Sequence, residues 1–95
     1  MDNQRCPLCG RELGSPAQTS RHHLIPKSEG GGPEDMVELH NICHQKIHSL
    51  FSERELKDYY HSIARLHEHE DIQKFVRWVR RKHPDFYQYN RRKKR

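Results

Sequence analysis

Ninety-five residues leave room for one domain and little more. Only 32% of them are hydrophobic and 33% are charged, so the core must be thin, and such a chain needs a disulfide, a metal or a partner to hold its fold. Three cysteines cannot all pair within one chain, and no apolar run opens the sequence or approaches the roughly 20 residues that span a bilayer. A disulfide frame, export and a membrane span are therefore disfavoured, and a reducing cytoplasm is the expected setting.

The formal charge of +5 is unevenly placed, because Arg91, Arg92, Lys93, Lys94 and Arg95 are all basic. Removing those five of 18 basic residues leaves 13 against 13 acidic ones, a neutral remainder. The excess is a C-terminal tail, expected to be disordered and able to lie on phosphates.

In chain order, Cys6-Pro7-Leu8-Cys9-Gly10 comes first. Two thiolates at C-x-x-C spacing with a turn-forming proline between them make half of a zinc knuckle. Gly10 is expected to let the backbone approach the second sulfur without a Cβ in the way. A redox pair has the same spacing, but no βαβ pattern surrounds this one. Residues 11–20 read as a loop, and Thr19 to Ile25 as a short strand ended by Pro26. Lys27 to Asp35, with Gly30, Gly31 and Gly32, reads as a flexible loop, and Met36 to Leu39 as a second, antiparallel strand.

Asn41 to Phe51 reads as a helix with Ile47, Leu50 and Phe51 on one face and His44 and His48 on another. Ser52 followed by Glu55 is a capping box that opens a second helix, to about Tyr60. Ser62 to Leu66 adds a helical turn. Ile72, Phe75, Val76 and Val79 then fall at i, i+3, i+4 and i+7, predicting a helix from near Glu70 to Lys82, ahead of Pro84. Arg77, Arg80, Arg81 and Lys82 suit its C-terminal end and a solvated face. His61, His67, His69 and His83 fit no pattern and are expected to face solvent.

His40-x-x-Cys43 repeats the spacing of Cys6-x-x-Cys9. Together the two pairs give a closed site of three thiolates and one imidazole for structural Zn2+. His22, His23, His44 and His48 remain. His44 and His48, four apart on a helix, can grip one ion, but Gln45 follows His44 where H-E-x-x-H metalloproteases carry their glutamate. A single finger from Cys6, Cys9, His44 and His48 would enclose 34 residues where about 12 are usual. A second, open metal site accounts better for these histidines.

The combination of C-x-x-C, His22-His23-Leu24-Ile25-Pro26-Lys27-Ser28 with its glycines, and Val37-x-Leu39-His40-x-x-Cys43-His44-x-x-x-His48 resembles the HNH endonuclease family. The resemblance covers Cys6 to His48. It implies an α+β fold class: a ββα-metal core over residues 1–51 with a structural zinc knuckle, followed by C-terminal helices over 52–83 packed on the core and a basic tail over 84–95. By position, His22, His44 and His48 match the family's ligands to a catalytic divalent ion, and His23 matches its general base. His40 and Cys43 stand where many members have two cysteines. Asp35 stands where the family has an asparagine that holds the loop orienting the base, and an ionised aspartate accepts hydrogen bonds without donating them.

The resemblance implies a metal-dependent endonuclease that hydrolyses phosphodiester bonds in DNA, by nicking or cleavage, leaving 5′-phosphate and 3′-hydroxyl ends. His23 would take the proton from the attacking water. All-imidazole ligation suits Mn, Ni, Co or Zn better than Mg. Arg21, Lys27, Lys46 and the basic tail are candidate phosphate contacts. His22 and His23 are adjacent, and serve one phosphate only if the strand bends or is broken there. Cutting both strands would call for a homodimer or two visits. The alternative is a non-catalytic zinc module that binds nucleic acid or protein, for instance in a phage or mobile-element assembly.

Overall fold

A computed structural model of the chain describes residues 4–86. Strands β1 (Thr19–His23) and β2 (Met36–His40) form a two-stranded antiparallel sheet, with Thr19 opposite His40 and His23 opposite Met36. Helix α1 (Asn41–Leu50) follows β2 directly, with His40 as its extended N-cap residue. Three further helices complete the described chain: α2 (Glu53–Asp58), α3 (Ile63–His67) and α4 (Glu70–Val79). The architecture is α+β, a ββα unit followed by helices.

The first strand is shorter than its sequence suggests. Pairing stops at His23, and the Leu24 N–H closes the loop by donating to the Asp35 carbonyl at 2.7 Å. The loop beyond it is built, not loose, with 3₁₀ turns at Lys27–Glu29 and Pro33–Asp35. Gly31 sits where that loop folds onto itself. Its N–H donates to the Pro26 carbonyl at 3.0 Å, and a Cβ there would collide with the carbonyl oxygen of Ile25.

The helices are held by local signals and by one stripe. Ser52 accepts from the Glu55 N–H at 3.1 Å while Glu55 Oε1 accepts from the Ser52 N–H at 2.8 Å, a complete capping box. Ser62 caps α3, accepting from the Arg65 N–H at 3.2 Å. Ile72, Phe75, Val76 and Val79 are all buried, so the α4 stripe faces inward as its period requires. Regular α-helix stops at Val79, before the expected Lys82, because the Arg81 and Lys82 N–H groups turn to carbonyls three residues back.

The core joins Leu39 of β2 and Ile42 and Ile47 of α1 to Leu56, Leu66, Ile72 and Val79 of the later helices. Burying each such side chain is worth about 1.5–3 kcal/mol. The later helices also reach the N-terminal knuckle, where His67 Nε2 bonds the Leu8 carbonyl at 2.7 Å and Arg80 Nε the Cys9 carbonyl at 3.0 Å. His67 and Arg80 are exposed, as expected, and each also bonds back to the knuckle backbone. His69 likewise caps α4 through Nδ1, accepting from the Asp71 N–H at 3.1 Å, and packs on Phe51. His83 Nδ1 accepts from the Asp85 N–H at 3.0 Å, and His61 is half-buried. Phe86 and Tyr60 lie against the core, Tyr60 stacked on Phe51. Among the described residues no helix is long and apolar enough to cross a membrane.

Neighbouring glycines should respond differently to a methyl group. Gly31→Ala should lower the unfolding free energy by about 1–3 kcal/mol in urea, the usual range for overpacking. Gly32→Ala should stay within about 0.5 kcal/mol, since it meets only the Glu34 side chain at ordinary contact distance. Equal effects would contradict the close approach seen at Gly31.

Candidate metal centres

Two groups of donor atoms form, each with its ligand atoms within 4.8 Å of one another: Cys6, Cys9, His40 and Cys43, and separately His22, His44 and His48. They separate because β-strands alternate and helices turn. Ser20, His22 and the paired Leu39 lie on one face of the sheet, whereas His40 ends β2 on the other. On α1, Cys43 and His44 are adjacent and diverge by about 100°, so one joins each group.

The first group is closed, with its four ligand residues no more than 1% exposed. The Gly10 N–H donates to the Cys6 carbonyl at 2.8 Å, making the tight turn that brings the two sulfurs together. Gly10 takes a left-handed φ of +86°, which favours glycine, and beyond its two chain neighbours a Cβ there would approach an Arg80 nitrogen no closer than 3.8 Å. His40 presents Nδ1 to the group, 3.5 Å from Cys9 Sγ, while its Nε2 donates to the Glu12 carbonyl at 2.8 Å. That outer bond fixes the tautomer that leaves Nδ1 available to a metal.

Electrostatics in this group call for a cation. Hydrogen bonds from the Cys43 and Cys6 thiols drive the Cys9 thiol down, while the same bonding, to Cys6 and then Cys9, drives Cys43 up together with burial. Burial pushes His40 down, but its hydrogen bonds to Cys6 and Cys9 outweigh that and raise it to about 9. Buried sulfur charge thus draws a proton onto a ligand nitrogen, and a metal ion with tetrahedral sulfur and nitrogen preference satisfies the same charge. The donor set fits zinc.

The second group differs in kind. Ring centroids of His22, His44 and His48 lie 4.9 to 5.3 Å apart. His22 is fully buried, and neither ring nitrogen has a hydrogen-bond partner among the described residues. An orphaned buried imidazole costs about 1–3 kcal/mol, which a coordinated ion would remove. Burial, then the nearby charges of His44, His48 and His23, lower His22 to about 3. Burial and His48 lower His44 to about 4, and burial lowers His48 against an opposing pull from Glu53. All three are neutral bases at pH 7, the form that ligates metal. Ser20 Oγ lies 2.8 Å from His44 Nδ1, leaving Nε2 as the nitrogen for an ion.

The other candidate residues are spread around these groups. His23 closes β1, half-buried and still paired with Met36, so regular pairing runs through both His22 and His23, and the break in the pleat comes after His23 and not between the two. Asp35 holds the glycine loop, its Oδ2 accepting from the Gly32 N–H at 2.9 Å. The role seen for that side chain is that of an acceptor, which aspartate fills. Arg21 and Lys27 are exposed, while Lys46 is half-buried with Nζ 5.7 Å from the Phe75 ring centre. Arg91, Arg92, Lys93, Lys94 and Arg95 lie outside the described residues.

A family model described as HNH endonuclease matches residues 6–50, a span that contains both donor groups. Residues 6–50 are a domain of the HNH endonuclease family. That nuclease-type domain ends with α1, and the later helices lie beyond the match. An uncharacterized protein of Bacillus subtilis (strain 168), YisB, is 38% identical over 80 residues, covering 84% of this chain and 77% of the relative. No solved structure gives a significant match.

Sequence reasoning missed two residues at these sites. Ser20 left a signal, since i and i+2 share a strand face and His22 was already a candidate. Arg11 left only its place after the knuckle glycine; its Nε donates to Cys9 Sγ at 3.3 Å.

The histidine group implies a specific pH response. Protons compete with metal only near the folded-state values, all three lowered from 6.5, so competition is weak at pH 7 and grows as pH falls below 6.5, reaching His44 at about 4 and His22 at about 3. Affinity of this group for Mn or Ni, measured by titration calorimetry on the zinc-loaded protein, should change little between about pH 8 and pH 7, with its main loss at a pH below 6.5. A main loss at or above about pH 6.5 would show that the imidazoles are not held neutral.

Proposed function

We propose that the chain hydrolyses phosphodiester bonds in DNA, with His22, His44 and His48 holding the catalytic divalent ion and His23 acting as general base. The observation that carries this reading is His22, fully buried with both ring nitrogens unpartnered beside two other neutral imidazoles. A structural role would leave such a group costly; a ligand role explains it. The all-nitrogen donor set favours Mn, Ni, Co or Zn over Mg at that position, and the sulfur-rich group favours zinc as a structural ion.

When bound, the divalent ion supplies positive charge for the scissile phosphate and the departing 3′ oxygen. The protein's own work is to place and deprotonate the water. The His23 imidazole accepts the proton from a water molecule whose oxygen forms a bond to phosphorus. The bond from phosphorus to the 3′ oxygen breaks in line, and that oxygen leaves as a hydroxyl after taking a proton, with the phosphate on the 5′ side. Asp35 supports this by pinning the loop that follows β1, through the Gly32 N–H and through its own carbonyl to Leu24. Ser20 holds the His44 ring. Arg21 and Lys27, both exposed, are the proposed contacts of this segment to the DNA backbone.

Purified protein should nick supercoiled plasmid with Mn or Ni, and His23→Ala should cut about 100- to 10,000-fold more slowly while still binding metal. Absent cleavage by both proteins, or equal cleavage by both, would sink the enzyme reading. His22→Ala should lose the exchangeable ion yet keep the zinc, because the donor groups share no residue.

A further inference from the structure

Among the described residues Arg11 is the one buried side chain with a permanent charge, only 7% exposed. Its Nε donates to Cys9 Sγ at 3.3 Å, and Nη2 lies 3.4 Å from His40 Nδ1. Its third nitrogen, Nη1, donates to the His83 carbonyl at 2.7 Å and the Lys82 carbonyl at 3.4 Å. A guanidinium with one edge on a ligand sulfur and the other on the chain leaving α4 links elements more than 70 positions apart in sequence.

Charge explains why an arginine is buried there. Zn2+ with three thiolates and a neutral imidazole carries a net charge of −1, and its ligand residues are no more than 1% exposed. A buried charge of that kind needs a buried counter-charge. Arg11 supplies it, and its permanently protonated fork also satisfies the Lys82 and His83 carbonyls in the chain just beyond α4.

We propose that Arg11 is the positioning residue of the structural zinc: it neutralises the thiolate-rich centre and, together with the Arg80 bond to the Cys9 carbonyl, fastens the C-terminal helices to it, so that zinc retention and order at residues 80–86 both respond to this side chain. This rests on reading Cys6, Cys9, His40 and Cys43 as a zinc site. It adds that the helical extension beyond the matched domain is part of what that zinc holds.

The test uses full-length zinc-loaded protein, Arg11→Gln and Arg11→Lys, with two readouts: zinc transfer to a colorimetric chelator, and hydrogen exchange of backbone amides. Arg11→Gln should release zinc at least tenfold faster, within the roughly 10- to 100-fold effect of losing an outer-shell partner. Exchange at residues 80–86 should rise as well. Arg11→Lys keeps the charge but not the fork, so it should release zinc more slowly than Arg11→Gln while residues 80–86 exchange as fast. If Arg11→Gln does not fold, Arg11→Lys still decides the linkage by its exchange at 80–86. Unchanged release and exchange in the folded variants would overturn the proposal. Wild-type protein with no tightly held zinc would overturn the zinc reading itself.

Discussion

The ββα unit is organised around four buried donor residues that could hold one metal ion: Cys6, Cys9, His40 and Cys43. They draw together the N-terminal turn, the end of β2 and the first turn of α1, segments that the thin apolar core could not fix by itself. A zinc ion in such a site can contribute about 10 kcal/mol or more to folding, comparable to the entire stability of a typical domain. The constraint is also directional. A tetrahedral ion held by these four residues would fix the angle at which β2 passes into α1, with no loop between them to absorb error.

That angle matters because Cys43 and His44 are neighbours. Holding Cys43 sets the rotation of α1, and the rotation of α1 sets where His44 and His48 point. The sheet then brings His22 in from the other side, with Ser20 fixing the His44 ring. The two centres therefore divide the labour: one is sealed and rich in sulfur, the other is made of imidazoles kept neutral by burial and by each other. A closed site can order a fold, and a site with positions left for water and phosphate can do chemistry. The HNH membership of residues 6–50 agrees with this division.

Much of this was legible in the sequence where spacing is set by local geometry. The paired x-x spacing of Cys6, Cys9 and His40, Cys43 gave the closed site, and His44 and His48 four apart on α1 gave two members of the second. The α4 stripe and the Ser52 capping box are local too, and both form. What escaped depends on contacts between distant segments or on backbone acceptors, which leave no side-chain pattern. Arg11 meets the Lys82 and His83 carbonyls, and His67 and Arg80 meet those of Leu8 and Cys9. The end of β1 was misplaced for a similar reason, since Leu24 turns to the Asp35 carbonyl. Asp35 is instructive in another way: the substitution looked adverse by residue type, but its observed bond asks only for an acceptor.

The central claim, two metal centres of different chemistry, is tested most directly by zinc-edge X-ray absorption on protein dialysed against a mild chelator. The account predicts one retained zinc per folded chain, with three sulfur neighbours and one nitrogen. Folded protein that retains no zinc, or zinc surrounded by nitrogen and oxygen alone, would contradict it.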